Sequence, residues 1–316
     1  MRGLSDDFLN SLKSVNGLLK PIVDRVKKDD TLMLAIRDGY INIYYRGGNL
    51  LRIAKTSGKS DSYDFFFDKK YDLSIGYTSY FDLYLPSKIS GHEQILQWIS
   101  SFPKLKELMD FWFNENPKTE REFHQLVERA NNRSSISNET EYFIIDIEMA
   151  DANLGARFDI LAIKWLANGR KDGKNCKASF IEMKYGDGAL SGESGLVNHL
   201  NDINQFLTDE KNYISTLEAM TTQFNQLDEL GLIKYKHCTN NTKIKLEPKD
   251  KPEFIFLIAN HNPRSRKLQE ILNTGEFKEL ASSDKFDLRF FVSSDAGYGM
   301  HNCNMLTYEK YLSRLE

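Results

Sequence analysis

Two stretches decide the reading of this chain: "ARFDILAIKW" at 156–165 and "ASFIEMKYG" at 178–186. Their apolar runs and β-branched residues predict buried strands. Asp159, Glu182 and Lys184 nevertheless sit in the middle of them. Alternate residues of a strand share a face, so Phe180, Glu182 and Lys184 point one way, and Ser179, Ile181 and Met183 the other. Glu182 and Lys184 then project side by side, about 7 Å apart along the backbone. If the strands pair as a hairpin around the basic loop 165–177, Asp159 meets Glu182 across the ladder.

Buried charges are costly unless they are paired or bound to a metal. Two carboxylates against one lysine leave an excess negative charge. A divalent cation such as Mg²⁺ resolves it, because oxygen ligands and a partly hydrated shell suit that ion. A structural Asp–Lys–Glu ion network is the alternative. A third carboxylate is expected from the helix before the strands, "TEREFHQLVERANNR". Thr119 and Glu122 have capping-box spacing, which gives Glu122 the task of reaching back to the helix N-terminus. Glu120 shares a face with Phe123, Val127 and Ala130, the face turned to the sheet. Compensation of the helix dipole is the other use for it.

Working outward, the second half reads as a helix, three strands ("EYFIIDIEMA", "RFDILAIKW", "ASFIEMKYG"), a glycine-rich loop and a long helical stretch from about Leu196 to Leu230. Strand "PEFIFLIAN", helix "SRKLQEILN" and strand "FDLRFFVSS" follow. That order predicts an α/β domain with a mixed sheet. The first half opens with a helix and then "TLMLAIRDGYINIYYRGGNLLRIAK". Here Asp38-Gly39 is a two-residue hairpin signal and Gly47-Gly48 marks a second turn, which predicts an antiparallel meander. "SYDFFFD" and "FDLYL" are further strand candidates. Helix "EQILQWISSFPKLKELMDFWF" should break or kink at Pro103. The polar junction "NENPKTE" places the division at residues 1–115 and 116–316.

The 316 residues carry a formal net charge of −3, so no global basic character advertises nucleic acid. Local basic segments do occur, at 164–177 and 234–251, and either could meet phosphate or simply be solvated. Three scattered cysteines do not make a disulfide framework. The opening "MRGLSDDFLNSL" has no apolar signal core, and no apolar run approaches the ~18 residues of a membrane span. A cytoplasmic protein that does not enter the membrane is expected.

The order Glu120, Asp159, Glu182-x-Lys184, carried on helix, strand and strand, resembles the PD-(D/E)XK nuclease superfamily. "ER" at 120–121, "DILAI" and "FIEMK" are similar to archaeal Holliday-junction resolvases. The likeness covers roughly residues 117–186, with a continuation to about 300. It departs at Phe158, where the motif often has proline. No family resemblance covers residues 1–115.

The resemblance implies a restriction-endonuclease-like mixed sheet flanked by helices, beside an N-terminal α+β domain serving recognition, regulation or oligomerisation. It implies a Mg²⁺- or Mn²⁺-dependent nuclease acting on DNA, in a restriction, repair or phage-defence setting. Asp159, Glu182 and the Met183 carbonyl would hold the metal, with Glu120 directly or through water. Lys184 would orient or deprotonate the attacking water. Gln205 is the expected glutamine from the following helix, with a solvent-facing stripe as its alternative. His199 reads as a groove or surface histidine. A homo-oligomer would suit double-strand cleavage. The rival readings are a catalytically silent nuclease-fold binding or assembly module and an RNA-cleaving toxin.

Overall fold

The computed structural model describes residues 2–59, 61–73, 85–133, 140–151, 156–170, 173–235 and 243–315. The chain divides into two compact units, Met1–Gln125 with Gln226–Leu232, and Leu126–Asn225 with Ile233–Glu316. Among the described residues there are two five-stranded sheets, one in each unit.

The first unit begins with helices α1 (Asp6–Lys13) and α2 (Lys20–Lys27). Ser5 caps α1 by accepting from the Phe8 amide, and Phe8, Leu9 and Leu12 form its buried stripe. Strands β1 (Leu32–Ile36), β2 (Tyr40–Tyr45), β3 (Gly48–Lys55) and β4 (Tyr63–Phe66) follow. Helix α3 (Lys70–Leu73), strand β5 (Lys88–Ile89) and helix α4 (His92–Glu115) complete it. The sheet runs in sequence order with every pair antiparallel, the expected meander. Asp38 and Gly39 link β1 to β2, with Gly39 at φ +73°.

The second turn is displaced by one residue from its expected place. Arg46 and Gly47 both have positive φ, the conformation a type I′ hairpin demands, and Gly48 opens β3 opposite Tyr45. A Cβ on Gly48 would lie 2.6–2.8 Å from the ends of the Phe113, Met109 and Tyr71 side chains, so a larger residue would force those ends to shift. The left-handed Arg46 is held by its side chain, which donates to Asp110 (2.8 Å) and Glu122 (3.0 and 3.2 Å). Glu122 therefore serves Arg46 rather than the capping box. Pro103 does not break α4, which runs for 24 residues through it. Most of the expected strand "FDLYL" lies outside the described residues. Tyr40, Asn42, Tyr44 and Arg46 share one face of "YINIYYR", and Tyr40, Asn42 and Tyr44 are engaged in packing within it. Tyr44 Oη receives bonds from Arg37 and Asn42, and Arg52 covers the Tyr40 ring at 4.0 Å.

Helix α5 (Thr119–Asn132) contributes to both units. The second unit continues with β6 (Tyr142–Asp151), β7 (Ala156–Trp165), β8 (Cys176–Tyr185), α6 (Leu196–Phe206) and α7 (Glu210–Glu229), whose last turn belongs to the first unit. Then come β9 (Glu253–Ala259), α8 (Lys267–Leu272), α9 (Gly275–Ala281), β10 (Asp287–Val292), α10 (Ser293–Ala296) and α11 (Tyr308–Leu315). The sheet order is β10-β9-β8-β7-β6, with β6, β7 and β8 antiparallel in turn and β8, β9 and β10 parallel. The sheet is mixed, as expected.

The long helical stretch is interrupted at 207–209, giving α6 and α7 as the crossover that parallel pairing of β8 with β9 requires. Central β8 is buried on both faces, which is why its sequence is a near-continuous apolar run. Asn132 ties α5 to the sheet: its Oδ1 accepts from the Ile144 amide and its Nδ2 donates to the Ile144 carbonyl, where β6 bulges. Among the described residues no helix is long and apolar enough to cross a membrane.

Candidate functional site

The β7–β8 ladder pairs Trp165 with Cys176 through Ile160 with Ile181, the hairpin expected around the basic loop. That register brings Asp159 opposite Glu182. Asp159 Oδ2 accepts the Met183 amide proton at 3.0 Å, so a side chain continues the ladder where backbone pairing stops. Glu182 and Lys184 share a face, and Lys184 Nζ donates to Glu182 Oε1 at 3.0 Å. Both side chains are almost wholly buried, at 5% and 3% exposure.

A second partner comes from α6. His199 Nε2 lies 2.9 Å from the same Glu182 oxygen. Burial alone would push the Glu182 carboxyl up. The His199 bond and the Lys184 charge outweigh it and hold the group below its ordinary value. The three motif residues are thus brought together, and His199 joins them.

The third acidic group is one that the sequence reading passed over. Ile147 pairs with Ile160 and Met149 with Phe158, so Glu148 of β6 stands opposite Asp159. Carboxylate oxygens of Glu148 and Asp159 lie within 4.8 Å of each other. Glu148 has φ +52°, a left-handed conformation that costs a non-glycine residue on the order of 1 kcal/mol or more. Its Oε2 also accepts from Arg157 at 3.0 Å. Glu148, Asp159 and Glu182 therefore occupy one level on three neighbouring strands. No local pattern in "FIIDIEMA" singles out Glu148 from Asp146. Only the register past the bulge at Ile145 does so.

Asp146 is spent elsewhere: its Oδ1 accepts the Ile147 amide, and Gln223 Nε2 approaches its Oδ2 at 3.4 Å. Three carboxylates against Lys184 and Arg157 leave one negative charge. Carboxylate oxygens with excess negative charge fit a hard divalent cation.

Glu120 lies on the first turn of α5, half-exposed, in the first unit, and makes no hydrogen bond or ion pair among the described residues. The buried acid of α5 is Glu128, about 12 Å further along the helix axis. Glu128 is committed to Arg133 at 3.1 Å, and burial pushes its carboxyl up. Gln205 is exposed at the end of α6. The residue of that helix directed at the carboxylates is His199, about 9 Å away along the axis. Phe158, in the place where the motif often has proline, fills the layer beneath. It packs on Phe180 (4.8 Å between centroids) and Phe206 (5.3 Å).

The basic segments that the sequence suggested for phosphate lie differently. Six residues of extended chain, about 20 Å, separate Cys176, at the end of the 165–177 loop, from Glu182. Lys164 is bound to Glu253 at 2.6 Å, and Arg170 is buried, donating to the carbonyls of Trp165 and Thr140. Lys245 and Lys251 pair with Glu247 and Asp287. Residues 171–172 and 236–242 lie outside the described residues.

Compared with known proteins, the chain matches no family model, no curated protein and no solved structure.

Proposed function

We propose that the second unit is a metal-dependent nuclease of restriction-endonuclease-like fold, hydrolysing phosphodiester bonds of nucleic acid, with DNA as the expected substrate. The observation that carries this reading is the convergence of Asp159, Glu182 and Lys184 at adjoining positions of an antiparallel strand pair. The helix–three strands–helix–strand order of the elements bearing them supports it. Asp159 and Glu182 would hold Mg²⁺ or Mn²⁺, with Glu148 beside them and the Met183 carbonyl as the resemblance implies. When bound, the ion supplies Lewis acidity and makes a water molecule acidic enough to attack at neutral pH.

The remaining steps belong to the chain. The Met183 amide fixes Asp159 in its rotamer. His199 and Lys184 clamp one oxygen of Glu182 and leave the other for a ligand. Lys184 is a compact positive charge within reach of the oxygens of a phosphate seated there, where negative charge builds up in the transition state. A phosphate bound against Lys184 would compete for it with Glu182, and a cation at Glu182 would offset that loss.

The silent-module reading has its own support. Glu182, Lys184 and His199 already satisfy one another, as a purely structural network would. Incubation with supercoiled plasmid, linear duplex, single strands and RNA, with and without Mn²⁺, separates the readings. Metal-dependent cleavage that Asp159→Asn abolishes supports the nuclease. Cleavage of RNA alone selects the RNA-directed alternative, and no cleavage in any arm leaves the binding module.

A further inference from the structure

Because β8, β9 and β10 are parallel, their C-terminal ends open on the same edge of the sheet. Ligands of open α/β sheets collect outside such ends. On this edge lies a polar groove of about 870 Å³, lined by His261, Arg264, Arg266 and Gln269 from the segment after β9, and by Tyr311 and Arg314 of α11.

The loop that carries its charge is tied to the catalytic strand. Two residues beyond β8, Asp187 Oδ1 takes His261 Nδ1 at 2.7 Å and the Asn262 amide at 3.1 Å. Lys267 Nζ donates to the Asp187 carbonyl at 3.0 Å. Gly186 donates to the Ala259 carbonyl. Burial works against ionising Asp187, but bonds from Ser265, the Asn262 amide and His261 hold its carboxyl below the ordinary value. It is thus a charged anchor for the 261–267 segment at neutral pH.

Arg264 and Arg266 are exposed and, among the described residues, make no side-chain hydrogen bond or ion pair. Arg314 is offset by Asp295 at 3.1 Å. Two unpartnered guanidinium forks on an anchored loop suit planar, bidentate oxyanions. The groove is lined by the segments that follow β9 and β10, one and two strand spacings, about 5 and 10 Å, from the strand that bears Glu182 and Lys184. That is the run of a few backbone phosphates flanking the one that is cut.

We propose that this groove binds the sugar–phosphate backbone of the nucleic-acid substrate beside the scissile phosphate, with Arg264 and Arg266 as its phosphate contacts. The inference rests on the nucleic-acid reading above and names where that substrate is gripped.

Titration of a fluorescein-labelled DNA duplex, and of its single strand, with the full chain in EDTA tests it by anisotropy across a salt series. Arg264→Ala/Arg266→Ala should weaken binding roughly tenfold or more and lower the slope of log K against log salt by about two. Arg264→Lys/Arg266→Lys should keep most of the slope. If the Ala pair melts earlier than wild type, Arg266→Glu at its exposed position supplies the same reading. Unchanged affinity and slope in the folded variants would overturn the groove as the backbone site.

Plasmid cleavage run in parallel keeps the two conclusions apart. Cleavage with arginine-independent binding removes the groove alone. Arginine-dependent binding without cleavage in any metal removes the nuclease and leaves the groove standing.

Discussion

Asp159 Oδ2 lies 3.0 Å from the Met183 amide nitrogen, so the aspartate is oriented by the backbone one residue past the glutamate it faces. This bond needs an oxygen but no charge. Asp159→Asn keeps an acceptor for it and removes one member of a crowded carboxylate set. Without metal the variant should be at least as stable as wild type, since like charges held close destabilise the fold. At a Mg²⁺ concentration near 100 times its Kd, wild type should gain about 2.7 kcal/mol and the variant much less. Cleavage should fall at least about a hundredfold. Thermal melts with and without Mg²⁺, beside a plasmid assay, check all three. A metal-free loss of several kcal/mol would make Asp159 a structural partner instead.

Glu182 gives a pH signature in metal-free protein. Its folded carboxyl is held below the ordinary 4.5, mainly against burial and by His199 and Lys184. A lowered folded pKa contributes stability that is complete above the unfolded value. That stability is lost as pH falls through the folded value. Wild type should therefore lose stability on acidification below about pH 4.5, and Glu182→Gln should lose less over the same interval. Urea melts from pH 6 to 3 in EDTA measure the difference. Parallel curves would show that the carboxylate is not stabilised as described.

The left-handed Glu148 predicts a contrast between two substitutions. Glycine tolerates φ +52° freely and alanine does not. Glu148→Gly should be more stable than Glu148→Ala by about 1 kcal/mol, although glycine normally costs more in a strand. Both should weaken Mg²⁺-dependent stabilisation. Equal melting temperatures for the two variants would mean the backbone at 148 relaxes.

At the opposite end of the sheet, Glu253 accepts from Tyr142 Oη (2.7 Å) and Lys164 Nζ (2.6 Å), and Lys164 and Glu253 are both largely buried. Lys164→Met leaves that carboxylate short of charge. It should cost about 3 kcal/mol, on the scale of a broken buried pair. The salt slope of nucleic-acid binding should stay unchanged. Chemical denaturation and the anisotropy series separate these outcomes, and a lowered slope would return Lys164 to a phosphate role.

Much of the site could be read from alternation alone. Two runs with charges at fixed parity, joined by a loop, are enough to oppose Asp159 and Glu182, and the structure has that register. The mixed sheet and the meander followed from turn residues and helix–strand order. Glu148 was not legible, because a single bulge resets the register of β6 and no residue type marks it in advance. Gln205 and His199 differ by their angle around α6, which a list of polar residues on a helix does not resolve. Charge density alone points to 164–177, which lies at the end of the strands away from Glu182. "HNPRSRK", with fewer charges, lies at the same end as Glu182 and Lys184 because β9 runs parallel to β8.

The Asp187 anchor bears on how the molecule is assembled in time. The bond from Met183 to Asp159 spans 24 positions in the chain, whereas the bond from Asn262 to Asp187 spans 75. Closing the longer loop requires the α6–α7 crossover to pack and β9 to dock first, and non-local pairings of this kind form slowly. The acidic residues can thus meet within a local three-stranded unit before the arginine loop is pinned beside them. A chain caught between those two events would hold its carboxylates in place without the anchored 261–267 segment beside them.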